Sequence, residues 1–279
     1  MQTLTLAISP CPNDTFIFEA MLHHKIDNEG LEFELIFADV EQLNQAAFQQ
    51  QYDITKMSYH AYAYASEHYI LLRSGSALGN NCGPLLVGKK ELNDEEMNDA
   101  NICIPGEYTT ANLLFSLRYP QAKNKTFIVF SEIENKIIKN EFDAGVIIHE
   151  NRFTYQQKGL KKIIDLGEFW EKEHHVPIPL GGIAMKRNID QETRIKAERV
   201  IRRSIEFAFN NRTSSKDFVA THAQEMSEEV CQQHIDLYVN KYSLELGFDG
   251  EYAVNTLFKI AEENKIIPEI YQPIFCCES

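Results

Sequence analysis

TLTLAISPCPNDTFIFEAMLHH, residues 3–24, contains a strand pattern followed directly by a helix pattern. Thr3 to Ile8 alternates as a half-buried strand does, whereas residues 13–24 carry apolar side chains at helical spacing. Asn13 and Asp14 are residues that favour the start of a helix, and Pro10 and Pro12 stiffen the turn before it. A strand that leads through a rigid turn into a helix is the basic unit of an α/β sheet.

The same alternation continues along the chain and predicts an α/β protein with crossover helices. It stops in the turn-rich segment 74–84 and restarts at residue 102, and the chain beyond residue 191 indicates three or four amphipathic helices. Strands are predicted at 3–8, 31–38, 53–57, 102–104, 127–130 and 144–148, and helices at 13–24, 41–50, 58–67, 109–118 and 132–140.

The interruption and restart indicate two lobes. Segments 69–87 and 176–185 have the extended character expected where a chain passes from one lobe to the other. We therefore predict a discontinuous first lobe, residues 1–88 and 186–279 with the C-terminal helices, and an inserted second lobe, residues 89–185. Because α/β sheets bind ligands at the carboxyl ends of their strands, the substrate cleft is expected between the lobes.

Composition excludes several classes of function. The 279 residues include 27 Lys and Arg against 41 Asp and Glu, a net charge of −14 that disfavours nucleic acid and anionic membrane surfaces as partners. No run reaches the roughly 18 apolar residues of a membrane span, and the N-terminal stretch lacks the basic region of a signal peptide. Six cysteines without CxxC spacing favour a reduced, cytoplasmic protein, although no role is assigned to Cys276 and Cys277.

Polar residues follow three of the predicted strands, each at the start of a helix. Free N–H groups there and nearby hydroxyls suit a carboxylate or sugar hydroxyls, and a lysine adds a positive charge. Taken singly, each of these residues is also explained as a helix cap or a solvated lysine. Their coincidence favours a small carboxylated or polyhydroxy ligand held by Ser9, Asn13, Asp14, Lys56, Met57, Ser58, Thr109 and Thr110.

His149 is the candidate for acid–base chemistry. Of nine histidines, it is the one placed directly after an apolar strand of the second lobe. Histidine is the usual general acid or base near neutral pH, although a hydrogen-bonded, partly buried histidine is the plain alternative. The pairs at 23–24 and 174–175 lack metal-ligand spacing, and no dinucleotide, Walker or nucleophile-elbow motif is present, so neither a metal nor a cofactor is predicted.

Several motifs in this order resemble the 1,4-dihydroxy-6-naphthoate synthase family of menaquinone biosynthesis. They are SPCPNDTF (9–16), TKMSY (55–59), GPL (83–85), PG (105–106) before TTA (109–111), IIHE (147–150) before RFTY (152–155), and PLG (179–181). The resemblance extends from the first strand to about residue 250. It implies a fold similar to class II periplasmic binding proteins, an intracellular cofactor-free lyase, and a small carboxylated substrate, cyclic dehypoxanthinyl futalosine.

The resemblance also implies roles for individual residues. His149 matches the catalytic base, whereas Lys56 to Ser58, with Thr109 and Thr110, match the substrate-binding segments. Two rival functions stay open: chorismate dehydratase of the same pathway, and a non-catalytic intracellular solute-binding protein. The sequence does not choose between a monomer and a homodimer.

Overall fold

The computed structural model describes residues 2–223 and 227–276, and all statements on structure concern these residues. The strands are β1 (Gln2–Ile8), β2 (Leu31–Phe37), β3 (Ile54–Ser58), β4 (Tyr69–Leu71), β5 (Ala77–Gly79), β6 (Leu85–Gly88), β7 (Ile102–Ile104), β8 (Lys125–Phe127), β9 (Ala144–Ile147), β10 (Lys161–Asp165) and β11 (Ile178–Lys186). The α-helices are α1 (Pro12–Leu22), α2 (Val40–Phe48), α3 (Tyr59–Ala65), α4 (Asp94–Asp99), α5 (Thr110–Arg118), α6 (Ile133–Ile138), α7 (Asn151–Thr154), α8 (Leu166–His174), α9 (Gln191–Asn210), α10 (Lys216–His222), α11 (Glu228–Tyr238), α12 (Lys241–Leu244) and α13 (Gly247–Glu263).

The first sheet has the strand order β2-β1-β3-β11-β4, with β5 also paired to β11. Strand β1 is parallel to β2 and β3, as expected for strands joined by crossover helices. Strand β11 returns antiparallel beside β3, with Gly182 opposite Met57. The first sheet therefore contains a strand, β11, that comes more than a hundred residues after its partner β3 in the chain.

The second sheet has the order β10-β6-β9-β7-β8. Here β7 is parallel to β8 and β9, whereas β6 is antiparallel to β9 and β10. Two mixed sheets, each with parallel strands and helical connections, give the α/β class that the sequence predicted. The carboxyl ends of β1, β3, β7 and β9 precede the segments that carry the predicted site residues.

The boundaries between lobes need correction by several residues. The predicted division at 88 puts β6 in the first lobe, and the division at 185 puts most of β11 in the second, but each strand pairs in the opposite sheet. The chain therefore passes between the sheets within residues 80–84 and again within residues 175–177. Apolar strands look alike in sequence whichever sheet they join, because pairing depends on distant residues.

Three further predictions differ from the structure. The strand expected at 127–130 lies at 125–127, and β10 and α8 were not predicted. In the described part of the chain from residue 191 onward there are five α-helices, where three or four were expected. Helix α9 packs on α1, whose Phe16, Phe18 and Met21 are all buried, and Ser204 donates from α9 to the Ile17 carbonyl at 2.7 Å. The C-terminal helices thus complete the core of the first lobe.

The C-terminal segment is tied to the first lobe through β4. The Leu71 N–H donates to the Ile274 carbonyl at 2.9 Å, and the Cys276 N–H donates to the Leu71 carbonyl at 2.8 Å. Cys276 is therefore buried beside the sheet, whereas Cys277 lies outside the described residues. Within the described ranges, no helix has the length and apolar character needed to cross a membrane.

Candidate active site

One cleft, whose empty space is about 700 Å³ including the part open to solvent, is lined by all nine residues predicted for the site. They come from the ends of three strands and the start of one helix, so the two sheets meet there as the sequence suggested. The residues are Ser9, Asn13 and Asp14 after β1, Lys56, Met57 and Ser58 in β3, Thr109 and Thr110 at α5, and His149 after β9.

Asp14 and Lys56 form a buried ion pair in the wall of the cleft. Lys56 Nζ lies 3.0 Å from Asp14 Oδ1. The Asp14 carboxylate also accepts from the Ser9 hydroxyl at 2.7 Å, from the Ser9 backbone N–H at 3.2 Å and from Asn13 Nδ2 at 2.8 Å. The positive charge of Lys56 is therefore balanced by Asp14 in this structure, and its role in ligand binding stays a prediction.

The hydroxyls at the start of α5 are engaged within the protein. Thr109 Oγ1 donates to the Gly106 carbonyl at 2.9 Å and caps the helix by accepting from the Asn112 N–H at 3.2 Å. Thr110 Oγ1 donates to the Leu180 carbonyl of β11 at 2.6 Å, which joins the two lobes. Since each hydroxyl has one proton, neither can also donate to a ligand in this arrangement.

The free donors beside these hydroxyls belong to the backbone and to Ser58. The N–H groups of Thr110 and Ala111, in the first turn of α5, make no hydrogen bond to any described residue. Ser58 Oγ accepts from Asn44 Nδ2 at 3.3 Å, and its proton has no acceptor among residues 2–223 and 227–276. Two N–H groups and one hydroxyl are therefore available to an anionic or polar ligand.

His149 stands in the cleft with one ring nitrogen engaged and the other open. Its Nδ1 lies 3.5 Å from Cys11 Sγ, and its ring contacts Phe130 edge-on at 5.0 Å. The Nε2 atom makes no hydrogen bond to a described residue. The backbone at His149 is left-handed, with φ of 56°. This conformation directs the segment after β9 away from the strand direction, and asparagine tolerates it better than most residues.

Burial lowers the pKa of His149 below its ordinary value of 6.5, although the negative charges of Glu150 and Asp14 oppose the shift. The sequence left the sign of this shift undetermined, because acidic neighbours and burial act in opposite directions. The imidazole is therefore neutral near pH 7. A neutral ring with an open nitrogen can accept a proton from a bound molecule.

The cleft also contains residues that the sequence did not single out. Val40, Ile148 and Leu180 give it apolar walls, which suit the rings of an aromatic or alicyclic ligand. His234 and Tyr238 reach it from α11, one helical turn apart. A histidine and a tyrosine four residues apart are only a weak sequence indication of a binding site, because the packing of α11 alone brings them to the cleft.

No three His, Cys, Asp or Glu side chains among the described residues are grouped as metal ligands. The absence of a metal and of a cofactor in the active protein stays a prediction from the sequence.

Comparison with known proteins gives the family. Residues 4–263 match the family model described as menaquinone biosynthesis. The chain belongs to this menaquinone-biosynthesis family. Two curated members are named 1,4-dihydroxy-6-naphthoate synthase. The one from Thermus thermophilus is 38% identical, with 99% of this chain and 100% of the relative covered, and the one from Streptomyces coelicolor is 36% identical, with 96% of each covered. The resemblance drawn from the motifs is thereby confirmed.

Solved structures place this member of the menaquinone-biosynthesis family among proteins with the binding-protein fold. A crystal structure of a protein from Archaeoglobus fulgidus has a TM-score of 0.90 at 33% identity, covering 95% of this chain and 98% of that one. The ligand-binding component of an ABC-type import system from Staphylococcus aureus has a TM-score of 0.70 at 15% identity, covering 100% and 97%. The periplasmic aliphatic sulphonate binding protein of Escherichia coli gives 0.64 at 11%, covering 100% and 95%. The predicted periplasmic-binding-protein-like fold is confirmed.

Proposed function

We propose that the chain is a 1,4-dihydroxy-6-naphthoate synthase, a carbon–carbon lyase that converts cyclic dehypoxanthinyl futalosine, with His149 as the general base. One observation carries the proposal: a neutral imidazole with an open nitrogen lies in the shared cleft of a chain from this family. Full-length similarity to two proteins of that name supports the same activity.

His149 begins the proposed reaction by taking a proton from carbon onto Nε2. The electron pair left behind forms a new carbon–carbon double bond as the bond to the sugar-derived fragment breaks. That fragment leaves with the displaced electrons and takes up the proton from the His149 imidazolium, which restores the neutral base. Formation of the aromatic dihydroxynaphthoate drives the step. The proposed step requires the tautomer in which Nδ1–H donates to the Cys11 sulfur, which leaves Nε2 unprotonated and directed to the substrate.

The substrate carboxylate is assigned to the free donors of the cleft. The N–H groups of Thr110 and Ala111 and the Ser58 hydroxyl meet it, with the positive end of the α5 dipole behind them. Lys56 has its charge balanced by Asp14, so it shapes the site and does not bind the carboxylate alone. Preorganised dipoles of this kind also stabilise negative charge that develops during reaction.

The test is turnover by the purified protein, followed by chromatography of the products. Cyclic dehypoxanthinyl futalosine should give 1,4-dihydroxy-6-naphthoate, and chorismate should be left unchanged. His149→Asn should lower kcat by about 10²- to 10⁴-fold, as expected for loss of a general base. Asn also accommodates the left-handed backbone at this position. His68→Asn, at an exposed histidine outside the cleft, is the matched control and should keep wild-type turnover.

Two outcomes would favour the rivals. Dehydration of chorismate with no turnover of the cyclic substrate would identify a chorismate dehydratase. Tight binding of the cyclic substrate, released unchanged after long incubation, would identify a solute-binding protein. A cytoplasmic location and the choice between monomer and homodimer stay predictions from the sequence.

A further inference from the structure

His234 is a fully buried histidine whose ring nitrogens have no hydrogen-bond partner among the described residues. It lies on α11, has no exposed surface, and lines the same cleft as His149. Neither Nδ1 nor Nε2 makes a hydrogen bond to any residue within 2–223 and 227–276. By contrast, Nδ1–H of the buried His60 donates to the Thr109 carbonyl, 3.0 Å away.

An imidazole buried in this way is a poor core residue. Buried polar atoms without hydrogen bonds destabilise the folded state, and an apolar ring of similar shape fills the same space without that penalty. A histidine with two unpaired nitrogens in a ligand cleft therefore calls for a partner that binds there.

The position of His234 puts such a partner within reach. Its ring stacks on that of His149, with centroids 6.2 Å apart and planes inclined by 19°. The centroid of the Tyr238 ring lies 4.6 Å from that of His234. A molecule that reaches His149 therefore also lies next to His234, because both residues line the cleft.

The protonation state of His234 indicates what it can bind. Burial, reinforced by His149 and Lys56, holds its pKa well below 6.5, so the ring is neutral near pH 7. A neutral imidazole offers one N–H donor and one nitrogen acceptor. A hydroxyl group can bind either nitrogen, since it accepts from the N–H and donates to the bare nitrogen, whereas a carboxylate can only accept from the N–H.

We propose that His234 is a further substrate-contacting residue of the cleft, and that its imidazole binds a hydroxyl group of the substrate. The assignment rests on the proposed function, and it adds α11 to the elements that contact the substrate. The carboxylate end of the substrate lies at α5, and a hydroxyl lies at α11 beside the base.

The test measures stability and kinetics on the same His234→Phe variant. Phenylalanine keeps the ring and removes the unpaired nitrogens, so the melting temperature should stay equal or rise. The KM for cyclic dehypoxanthinyl futalosine should rise by about 5- to 100-fold, because the substrate hydroxyl is left unsatisfied in a buried site. The kcat should change by less than about threefold, since the contact is made equally in ground and transition states.

Two further variants separate binding from structure. His234→Gln supplies an amide donor and acceptor near the same place, so its KM should lie between those of wild type and His234→Phe. Ile235→Val, at the next and also buried position of α11, should lower the melting temperature by a few degrees and leave KM unchanged.

The possible failures are distinguishable. If the wild-type protein does not convert the cyclic substrate, the proposed function fails and this assignment fails with it. If the wild type is active, an unchanged KM in His234→Phe, a fall in kcat alone, or a loss of folding in that variant overturns the role of His234 and leaves the proposed function intact.

Discussion

Lys56 Nζ lies 3.0 Å from Asp14 Oδ1, and both side chains are almost completely buried. The pair joins the end of β3 to the first turn of α1, where Ser9 and Asn13 supply further hydrogen bonds to the carboxylate. A protein with a net charge of −14 therefore places a balanced pair beside its cleft. Under the proposed function, attraction of the substrate carboxylate is left to backbone dipoles and one hydroxyl, which act only at short range.

Asp14→Asn should destabilise the protein by about 3–5 kcal/mol, because it leaves the Lys56 ammonium buried without a counter-charge. Urea unfolding followed by circular dichroism measures the change. Lys56→Met alone should cost a similar amount by stranding the carboxylate. The double variant Asp14→Asn/Lys56→Met should lie closer to wild type than either single variant. Additive losses in the double variant would contradict the view that the two charges are coupled.

The activity should depend on pH through His149. Burial lowers the pKa of this ring below 6.5, and the base acts only when deprotonated. Hence kcat/KM should rise as pH increases through that pKa and be constant from about pH 7 upward. The midpoint of the acid limb should lie below 6.5 in a profile of initial rates between pH 4.5 and 8.5. A midpoint at or above 6.5 would mean that the carboxylates outweigh burial. His68→Asn should reproduce the wild-type profile.

Patterns local in sequence predicted the ends of the four strands that lead into the site, β1, β3, β7 and β9, to within one residue. Alternation at residues 3–8 and the apolar run at 144–147 depend on neighbours, and so does the N-cap at Thr109. The partner of Lys56 was missed because Asp14 lies 42 residues away in the chain.

The contribution of α11 to the cleft was not predicted, because its residues lie far in sequence from the other residues that line the cleft. His149 and His234 are brought together only by the packing of α11 on the first lobe. The spacing of apolar residues along the sequence does not indicate this packing. The lobe boundaries failed at β6 and β11 because both strands are apolar, and sheet membership is decided by pairing partners. Local physics therefore predicts which residues end the strands, whereas long-range packing decides what those residues contact.

Cys11 should act on turnover through the orientation of His149. Its sulfur lies 3.5 Å from His149 Nδ1, and burial raises the pKa of the thiol, so it stays protonated. Cys11→Ala removes the contact and should lower kcat about 10-fold with little change in KM, because the ring is less well aimed. Cys11→Ser keeps a polar atom near Nδ1 and should recover most of the rate. Wild-type kcat in the alanine variant would exclude a positioning role.

Arg152 ties the segment after His149 to the first passage between lobes. Its Nη2 lies 2.8 Å from Asp165 Oδ2 and donates to the Asn81 carbonyl at 2.8 Å, while Nη1 donates to the Gly83 carbonyl. Arg152→Gln leaves a buried carboxylate unpaired, so we expect a loss of about 3–5 kcal/mol in unfolding free energy. It should also lower kcat, since residues 149–152 lose their anchor.

Arg118→Gln is the matched control for that substitution. Arg118 also lies 2.8 Å from a carboxylate, that of Asp94, but the Asp94 side chain is 66% exposed. Solvent screens this second pair, so its loss should cost no more than about 1 kcal/mol and leave kcat unchanged. Urea titration and initial rates on the two variants give both quantities. Equal losses of stability would show that burial does not distinguish the pairs, and an unchanged kcat in Arg152→Gln would show that His149 is held in place by other contacts.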